Sequence, residues 1–367
     1  MTHPDAPPLR MLFWESTARC NLACAHCRRL INDTMGGMLS RKAGEHVLYD
    51  SFMPTPLRGE GMPPDSVLDE LTTDEIKSVF ASAARLGPPV VVFSGGEPLL
   101  RDDWPELTAF AHELQLPVAL ATNATLIDAG LAARIAAARF RRVSVSLDGA
   151  DAATHDTLRG EGNFTRALAG VNHLRAAGAK VQINVTVTRA NANQLDALAA
   201  LARERQAEAM HLFLLVPVGC GAEIAPARQL APPDYLRVLE WICDHQADAG
   251  MELRATCGPQ VYRVAARRGL SLGRGRGCLC GRSVAFVSHN GDVFPCGYLP
   301  VKCGSVREAD FETIWRTSAV FAALRDDHAL KGVCGNCDFK NICGGCRARA
   351  HAATGDYLAE DASCPFI

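Results

Sequence analysis

The sequence has no long hydrophobic run, no secretion signal and no excess of charge of either sign. No apolar run reaches the roughly 18 to 20 residues that a membrane span needs, and Met1–Arg10 is polar and rich in proline where a signal peptide would be apolar. The 38 basic and 40 acidic residues nearly cancel, so the composition indicates neither a nucleic-acid partner nor a membrane surface. We expect a cytoplasmic protein without a membrane span.

Cysteine, in contrast, is abundant. The chain has 15 cysteines, and without an export signal a disulfide framework is not expected. One group lies near the start of the chain at 20–27 and most of the others lie between Cys278 and Cys364, whereas Cys220 and Cys243 stand alone as structural cysteines do. Such clustering is typical of metal sites.

The first group is a Cys20-x₃-Cys24-x₂-Cys27 run that follows an apolar strand candidate, Met11–Thr17. Thiolates are soft ligands that select zinc, copper or iron–sulfur clusters, and structural sites of these kinds mostly have four protein ligands. Three thiolates on a [4Fe–4S] cluster would leave one iron free to bind another molecule. A zinc knuckle, or three unrelated cysteines, is the alternative that this run alone leaves open.

From Leu12 to about Val216, short β-branched segments alternate with segments rich in Ala and Leu, whose apolar residues recur every three or four positions. This alternation predicts a parallel sheet with right-handed crossovers, and six repeats predict an incomplete, TIM-like (β/α)6 barrel that is open at one side. The predicted strands are Leu12–Thr17, Pro89–Phe93, Pro117–Ala121, Val143–Leu147, Val181–Thr188 and His211–Val216. The predicted helices are Thr73–Leu86, Trp104–Gln115, Asp128–Ala138, Phe164–Ala177 and Gln194–Gln206, with Thr73 and Asp128 as capping residues.

We therefore divide the chain into an α/β barrel over 1–231, a bridging helix region over 232–257 and a cysteine-rich domain over 258–367. A loop of some forty residues, 28–71, is inserted after the first strand. Loops of this length are uncommon, and this one leaves from the edge where such barrels carry their chemistry. A lid over substrate and a partly disordered insertion both remain open.

Polar residues lie at the C-terminal ends of several predicted strands, where such barrels have their active sites. After the second strand comes Ser94-Gly95-Gly96-Glu97-Pro98, in which two glycines allow a ligand to approach the backbone closely and the glutamate offers a carboxylate. Ser146 lies at the end of the fourth strand, and Asn184 should point into the barrel from the fifth. Thr122 and Thr186 have similar positions. For these two residues, a ligand-binding role and a role as polar side chains that only fill the barrel mouth are equally good explanations.

The second group of cysteines extends over the last 90 or so residues. It comprises Cys278 and Cys280, a Gly291-x₄-Cys296 unit in a predicted β-hairpin, the run Cys334-x₂-Cys337-x₅-Cys343-x₂-Cys346, and Cys364. Cysteine pairs at this spacing occur in iron–sulfur sites and also in zinc ribbons. A zinc ribbon is therefore the alternative.

The first cysteine run followed by Gly95-Gly96-Glu97 resembles the radical S-adenosylmethionine (SAM) superfamily. The resemblance implies that Cys20, Cys24 and Cys27 bind a [4Fe–4S] cluster, that SAM chelates its free iron, and that an electron from the cluster splits SAM to a 5′-deoxyadenosyl radical. It also implies that the Gly-Gly-Glu turn contacts the amino group of SAM and that Ser146 and Asn184 hold its ribose and carboxylate. An external low-potential donor of the flavodoxin or ferredoxin type would supply the electron.

The second group resembles the SPASM domain, a module that binds one or two auxiliary iron–sulfur clusters. The family pattern implies that one auxiliary cluster is held by Cys334, Cys337, Cys343 and Cys364. It implies that a second is held by Cys278, Cys296 and Cys346, with Cys280 or another residue as the fourth ligand.

Segments along the whole chain, such as 13–20, 215–221 and 343–350, resemble the haem-biosynthesis branch of the SPASM proteins. Within that branch, Trp14-Glu15 before the cysteine run and Cys27-Arg28 at its end favour the alternative haem b synthase, an iron-coproporphyrin III decarboxylase. The resemblance implies a tetrapyrrole substrate, two of whose propionates become vinyl groups. Didecarboxysirohaem deacetylation, the haem d₁ radical SAM reaction, peptide maturation and simple electron transfer are the alternatives.

Such a substrate carries several carboxylates and an iron. Guanidinium groups bind carboxylates through two parallel hydrogen bonds, and the candidate partners are Arg28, Arg29, Arg347 and Arg349. His26 and His211 are candidate iron ligands. An ordinary packing or surface role is the alternative for each.

Overall fold

The computed structural model describes residues 6–29, 69–273 and 275–367. Most of the inserted loop predicted over 28–71 lies outside these residues, and so does its predicted role at the active site. Among the described residues, no helix is long and apolar enough to cross a bilayer.

One open sheet of ten strands runs through the described part of the chain, in the order β10-β9-β8-β1-β2-β3-β4-β5-β6-β7. Neighbouring strands from β8 through β1 to β7 are parallel, while β9 and β10 are antiparallel to their neighbours. The strands are β1 Met11–Glu15, β2 Val90–Ser94, β3 Val118–Thr122, β4 Arg142–Ser146, β5 Val181–Val187, β6 Ala209–Leu214, β7 Glu252–Thr256, β8 Val284–Val287, β9 Asp292–Phe294 and β10 Gly304–Ser305. The six predicted strands are all present, side by side and parallel, and they form the centre of a barrel that does not close.

Helices connect the parallel strands, as the alternation of segments predicts. The helices of the described residues are α1 Thr73–Ala84, α2 Trp104–Glu113, α3 Ala129–Ala137, α4 Ala152–Arg159, α5 Asn163–Ala176, α6 Leu195–Glu204, α7 Cys220–Arg228, α8 Pro232–His245, α9 Val261–Arg267, α10 Phe311–Thr317, α11 Ala319–Arg325, α12 Gly332–Gly335 and α13 Arg347–Thr354. Asp128 caps α3 as predicted, because its carboxylate accepts a hydrogen bond from Leu131 N. The prediction for α1 is wrong by one residue: Thr72 is the cap, in a reciprocal capping box with Glu75.

The two faces of the sheet differ in polarity because side chains alternate along a strand. Residues such as Val143, Val145 and Ile183 are buried and belong to one core with the helices. Their neighbours, including Ser146 and Asn184, are half-buried and point to the opposite, inner face of the barrel. The sequence prediction that Asn184 points into the barrel therefore agrees with this alternation.

Four strands, β7 to β10, extend the sheet beyond the six predicted barrel strands. β7 lies in the predicted bridging region and pairs with β6 in parallel. β8 forms the predicted hairpin with β9, and it also pairs in parallel with β1, with Met11 opposite Val284. The start of the cysteine-rich domain is therefore part of the same sheet as the barrel.

Candidate active site

The loop over residues 20–27 leaves the C-terminal end of β1 and lies at the edge where the parallel strands end. Segments that follow three other strands bind it. After β3, Thr125 Oγ1 accepts a hydrogen bond from Asn21 Nδ2 and Asn123 Nδ2 donates to Asn21 Oδ1, both at 2.9 Å. After β4, Leu158 O accepts from Ala25 N at 2.9 Å. After β6, Gly221 N donates to Cys27 O at 3.2 Å. These bonds place the three thiols at the mouth of the barrel.

The Gly-Gly-Glu turn after β2 packs directly against the start of this loop. Gly96 N donates to Thr17 O and Glu97 N donates to Arg19 O, both at 2.8 Å. A Cβ atom at Gly96 would lie only 2.1 Å from Arg19 O, and one at Gly95 would lie 2.8 Å from Thr17 O. The chain itself therefore requires both glycines, so that two loops of the site can approach each other.

The side chain of Glu97 is buried beneath this turn. Its Oε1 accepts hydrogen bonds from Thr122 Oγ1 at 2.7 Å and from Leu99 N at 3.3 Å, and its Oε2 accepts one from Asn123 N at 2.8 Å. Burial raises the pKa of Glu97 to about 7, although the three hydrogen bonds favour the anion. The carboxylate thus fixes the loops after β2 and β3 together, and each oxygen can accept two hydrogen bonds.

A buried ion pair next to Cys24 was not predicted. Arg159 Nε donates to Asp148 Oδ2 at 2.5 Å, and Arg159 Nη1 lies 3.8 Å from the sulfur of Cys24. His26 Nε2 lies 3.3 Å from Asp148 Oδ2 and from Arg159 Nη2. Burial lowers the pKa of His26 to about 4, so a neutral ring bridges the cysteine loop and this ion pair.

Ser146 and Asn184 are neighbours in the register of β4 and β5, and Asn184 Oδ1 accepts a hydrogen bond from Gln182 Nε2 at 2.6 Å. His211 lies opposite Asn184 on β6, and its side chain contacts β7. Its Nε2 lies 3.5 Å from Glu252, the first residue of β7. The register therefore places Ser146, Asn184 and His211 side by side on β4, β5 and β6. Gln182 Nε2 contacts both Asn184 Oδ1 and His211 Nδ1, so Asn184 and His211 share one polar cluster in the barrel wall.

Eight of the nine thiols of the cysteine-rich domain, all except Cys303, lie in two places together with Cys257. In the first, Cys343 lies near Cys334 and Cys364, and Gly345 N donates to its sulfur at 3.5 Å. Arg347 Nη2 lies 3.6 Å from Cys334, and Arg263 Nη1 lies 3.8 Å from Cys337. These four cysteines are the set that the family pattern assigns to one cluster.

Five thiols meet in the second place. Cys280 contacts both Cys278 and Cys296, and the thiol of Cys257 forms a hydrogen bond with Cys346. All five pack into one small cluster of side chains at the junction with the barrel. The sequence pattern assigns no role to Cys257. It directly follows β7, a strand that the sequence does not predict, and has a positive φ of 56°.

Arg347 and Arg349 do not face a substrate. Arg349 is 2% exposed and donates to Asp361, to Tyr235 and to the carbonyl oxygen of Cys257. Arg347 donates to the carbonyl oxygens of Tyr357 and Ala359. The structure therefore corrects the prediction that this pair binds substrate carboxylates, because both guanidinium groups already have partners inside the domain.

The thiols suit iron–sulfur clusters. All 15 cysteines have free thiols, and burial raises the pKa of Cys24 to about 11 and that of Cys343 to about 12. Such thiols ionise when a metal binds them, and the three guanidinium groups within 3.8 Å of thiol sulfurs would offset the charge of a bound cluster. Among the described residues, no three His, Cys, Asp or Glu side chains converge as closely as a single metal ion requires.

An open parallel barrel with a three-thiol loop beside a Gly-Gly-Glu turn defines the class of radical SAM enzymes. This chain belongs to the radical SAM superfamily, whose model matches residues 14–202, and residues 278–338 match SPASM, an iron–sulfur cluster-binding domain. It is therefore an iron–sulfur enzyme whose cofactors are SAM, a radical SAM cluster and auxiliary clusters.

The relatives narrow the class further. The chain is 41% identical to an AdoMet-dependent heme synthase of Methanosarcina barkeri, covering 97% of this chain and 96% of that protein. It is 37% identical to the AdoMet-dependent heme synthase of Nitratidesulfovibrio vulgaris, covering 98% and 93%. The crystal structure of Streptococcus suis SuiB bound to S-adenosylmethionine has the same fold, with a TM-score of 0.70 at 19% identity over 98% of this chain and 77% of SuiB. The predicted resemblance to the haem branch is thus confirmed.

Proposed function

We propose that this chain is an oxidative decarboxylase of an iron tetrapyrrole, which turns two propionates of iron-coproporphyrin III into vinyl groups and so makes haem b. The observation that carries the proposal is the 41% identity to an AdoMet-dependent heme synthase over 97% of this chain. Fold alone would not support a particular reaction. This similarity, however, covers both the barrel and the cysteine-rich domain, which together provide the groups that the reaction needs.

In this proposal, Cys20, Cys24 and Cys27 hold the [4Fe–4S] cluster at the barrel mouth. When bound there, the cluster and SAM supply a 5′-deoxyadenosyl radical that abstracts hydrogen. The protein holds the thiols in place through the bonds from the loops after β3, β4 and β6. Such positioning of the reacting groups is the main contribution of a protein to cofactor chemistry.

Gly95, Gly96 and Glu97 would hold the amino group of SAM. Oε2 of Glu97 has one protein donor among the described residues, so it can accept a further hydrogen bond from an ammonium group. Ser146 and Asn184, on the inner face near the same mouth, would bind the ribose and carboxylate.

Each propionate loses a hydrogen atom from its β-carbon and then CO₂ and one electron as the double bond forms. An electron acceptor near the substrate is therefore required. Two sets of thiols of this chain would hold such acceptors: Cys334, Cys337, Cys343 and Cys364 in one place, and Cys278, Cys296 and Cys346 in the other, where Cys257 and Cys280 also lie. An external low-potential donor of the flavodoxin or ferredoxin type would provide the electron that starts each turnover.

The test is an anaerobic assay of the reconstituted full chain with SAM, a reductant and iron-coproporphyrin III, read by mass spectrometry. We expect the neutral porphyrin to lose two CO₂ and four hydrogens, two of them abstracted from β-carbons and two of them carboxyl protons, with one 5′-deoxyadenosine for each vinyl group. Formation of 5′-deoxyadenosine beside an unchanged porphyrin would reject this substrate. Didecarboxysirohaem would then be tried, and a peptide after it.

A further inference from the structure

Two arginines follow the third cysteine of the active-site loop and share one buried carboxylate. Arg28 Nη2 donates to Glu15 Oε1 at 2.8 Å, and Arg29 Nη1 lies 3.4 Å from the same oxygen. The other oxygen of Glu15 accepts a hydrogen bond from His289 Nδ1 at 2.7 Å. Counting only the described residues, two permanent positive charges face a single negative charge here, which leaves an excess of one positive charge.

Within the described part of the chain, most hydrogen-bond donors of these two arginines have no acceptor. A guanidinium group has five N–H donors, and among the described residues Arg28 makes one hydrogen bond and Arg29 makes none. The side chain of Arg29 is 10% exposed, and its Nη1 is buried without a hydrogen-bond partner within the described chain. Its contact with Glu15 Oε1 at 3.4 Å is an ion pair without a hydrogen bond. A buried donor that makes no hydrogen bond is costly, so this place favours a further acceptor.

The pair lies where the barrel meets the SPASM domain. The guanidinium of Arg28 stacks on the ring of Phe286 in β8, 4.4 Å from its centroid. The backbone is fixed from the other side, because Cys220 N donates to Arg29 O at 3.2 Å. A Cβ atom at Gly219 would lie 2.3 Å from Arg28 O. Arg28 and Arg29 are therefore held rigidly between the radical SAM thiols and the auxiliary thiols.

We propose that Arg28 and Arg29 form a clamp for a carboxylate of the substrate, and that this carboxylate is one that the product retains. The inference rests on the proposed function, since it requires a tetrapyrrole that carries propionates. One more carboxylate would balance the charge of the group and fill its free donors through paired hydrogen bonds.

The chemistry distinguishes a retained carboxylate from a departing one. A departing carboxylate gives up its charge as CO₂ forms, so strong ion pairing in the ground state would raise the barrier to its loss. A retained propionate keeps its charge throughout, and its ion pair orients the ring without opposing the reaction. Glu15 acts as the positioning residue that keeps the two guanidinium groups side by side.

Equilibrium binding tests the clamp without relying on turnover. The reconstituted full chain, kept anaerobic and without reductant, is titrated with iron-coproporphyrin III and separately with haem b, and binding is followed by absorbance. We expect Arg29→Gln to raise the Kd of both porphyrins by the same factor, about 10- to 100-fold for a lost charge-assisted pair. Arg237→Gln, which removes an equal charge from the exposed face of α8, should leave both Kd values unchanged.

Two results for Arg29→Gln would overturn the clamp. Weaker binding of iron-coproporphyrin III alone would mean that the arginines hold a departing carboxylate, and unchanged binding of both would mean that they hold none. If Arg29→Gln fails to take up iron, Arg29→Lys is tested in its place, because lysine keeps the charge but not the planar fork. Arg29→Lys should weaken the binding of both porphyrins equally, and unchanged Kd values would refute the clamp. If the porphyrins bind tightly through Arg29 but iron-coproporphyrin III is not converted to haem b, the proposed function is rejected and the clamp stands. If iron-coproporphyrin III is converted but the Arg29 variants bind both porphyrins as tightly as the parent chain, the proposed function stands and the clamp is rejected.

Discussion

Replacing Gly96 by alanine should force the cysteine loop away from the end of β2. A Cβ atom there would lie 2.1 Å from Arg19 O, 2.6 Å from Arg19 C and 2.8 Å from Ala18 O. Non-bonded carbon atoms are attracted best at about 3.5–4.0 Å, so one of the two segments must move by about 1 Å to relieve the overlap. The two loops that would carry the first cluster and the amino group of SAM would then separate.

The cost follows from the contacts that such a movement breaks. It would stretch the two hydrogen bonds that Gly96 N and Glu97 N donate to the cysteine loop, both 2.8 Å long. Their loss costs about 1–3 kcal/mol, and inserting a methyl group into a packed site costs about 1–3 kcal/mol more. We expect Gly96→Ala to lower the free energy of unfolding by about 2–6 kcal/mol and to reduce the iron held by the loop, because Arg19 directly precedes Cys20.

Urea denaturation of the iron-free protein measures the stability, and iron analysis after reconstitution measures the site. Gly130→Ala is the matched control, since its Cβ atom in α3 would meet nothing closer than Asp128 Oδ1 at 3.4 Å. That variant should be as stable as the parent chain or more so, because alanine favours a helix. If Gly96→Ala unfolded at the same urea concentration as the parent and bound as much iron, the steric argument would be refuted.

Three further predictions concern single side chains. The pKa of Glu97 is about 7 in the SAM-free protein, so this carboxylate loses its charge as the pH falls. The Kd of SAM, measured by equilibrium dialysis, should therefore rise about fivefold from pH 7 to pH 6. Glu97→Gln should abolish this pH dependence. Arg349→Met leaves the buried carboxylate of Asp361 without its cation and should lower the free energy of unfolding by about 3–5 kcal/mol in urea; a value near zero would contradict the buried ion pair. Cys24→Ala should abolish 5′-deoxyadenosine formation, measured by chromatography, with unchanged circular dichroism, and residual formation would count against the ligand assignment.

The central strands could be predicted from the sequence because their signal is local. Each is a short β-branched segment next to an amphipathic helix, and the buried face of the helix shows in its spacing. β7 was missed because it is an edge strand of only five residues, Glu252–Thr256, two of which are charged. The pairing of β8 with β1 was missed for a different reason: no local pattern indicates a partner at the opposite end of the chain.

The candidate site shows the same difference between features with a local sequence pattern and features formed by distant residues. The cysteine runs and the Gly-Gly-Glu turn are visible because their spacing is short. Arg159 and Asp148 belong together only once α4 folds back onto the cysteine loop, so their separation along the chain hides the pair. Arg349 appeared as a candidate for substrate because it is charged and follows a cysteine, and only the buried Asp361 beside it shows that its charge is already neutralised.

The parallel pairing of β1 and β8 has a consequence for how the protein is made. Met11 pairs with Val284, 273 positions later in the chain. At a translation rate of about 5–20 residues per second, the ribosome needs roughly 15–55 s to cover that distance. During this time one edge of β1 has no strand to pair with, and an unpaired edge invites association with other chains. The emerging barrel therefore exposes this edge until the hairpin of the last domain leaves the ribosome and pairs with the first strand.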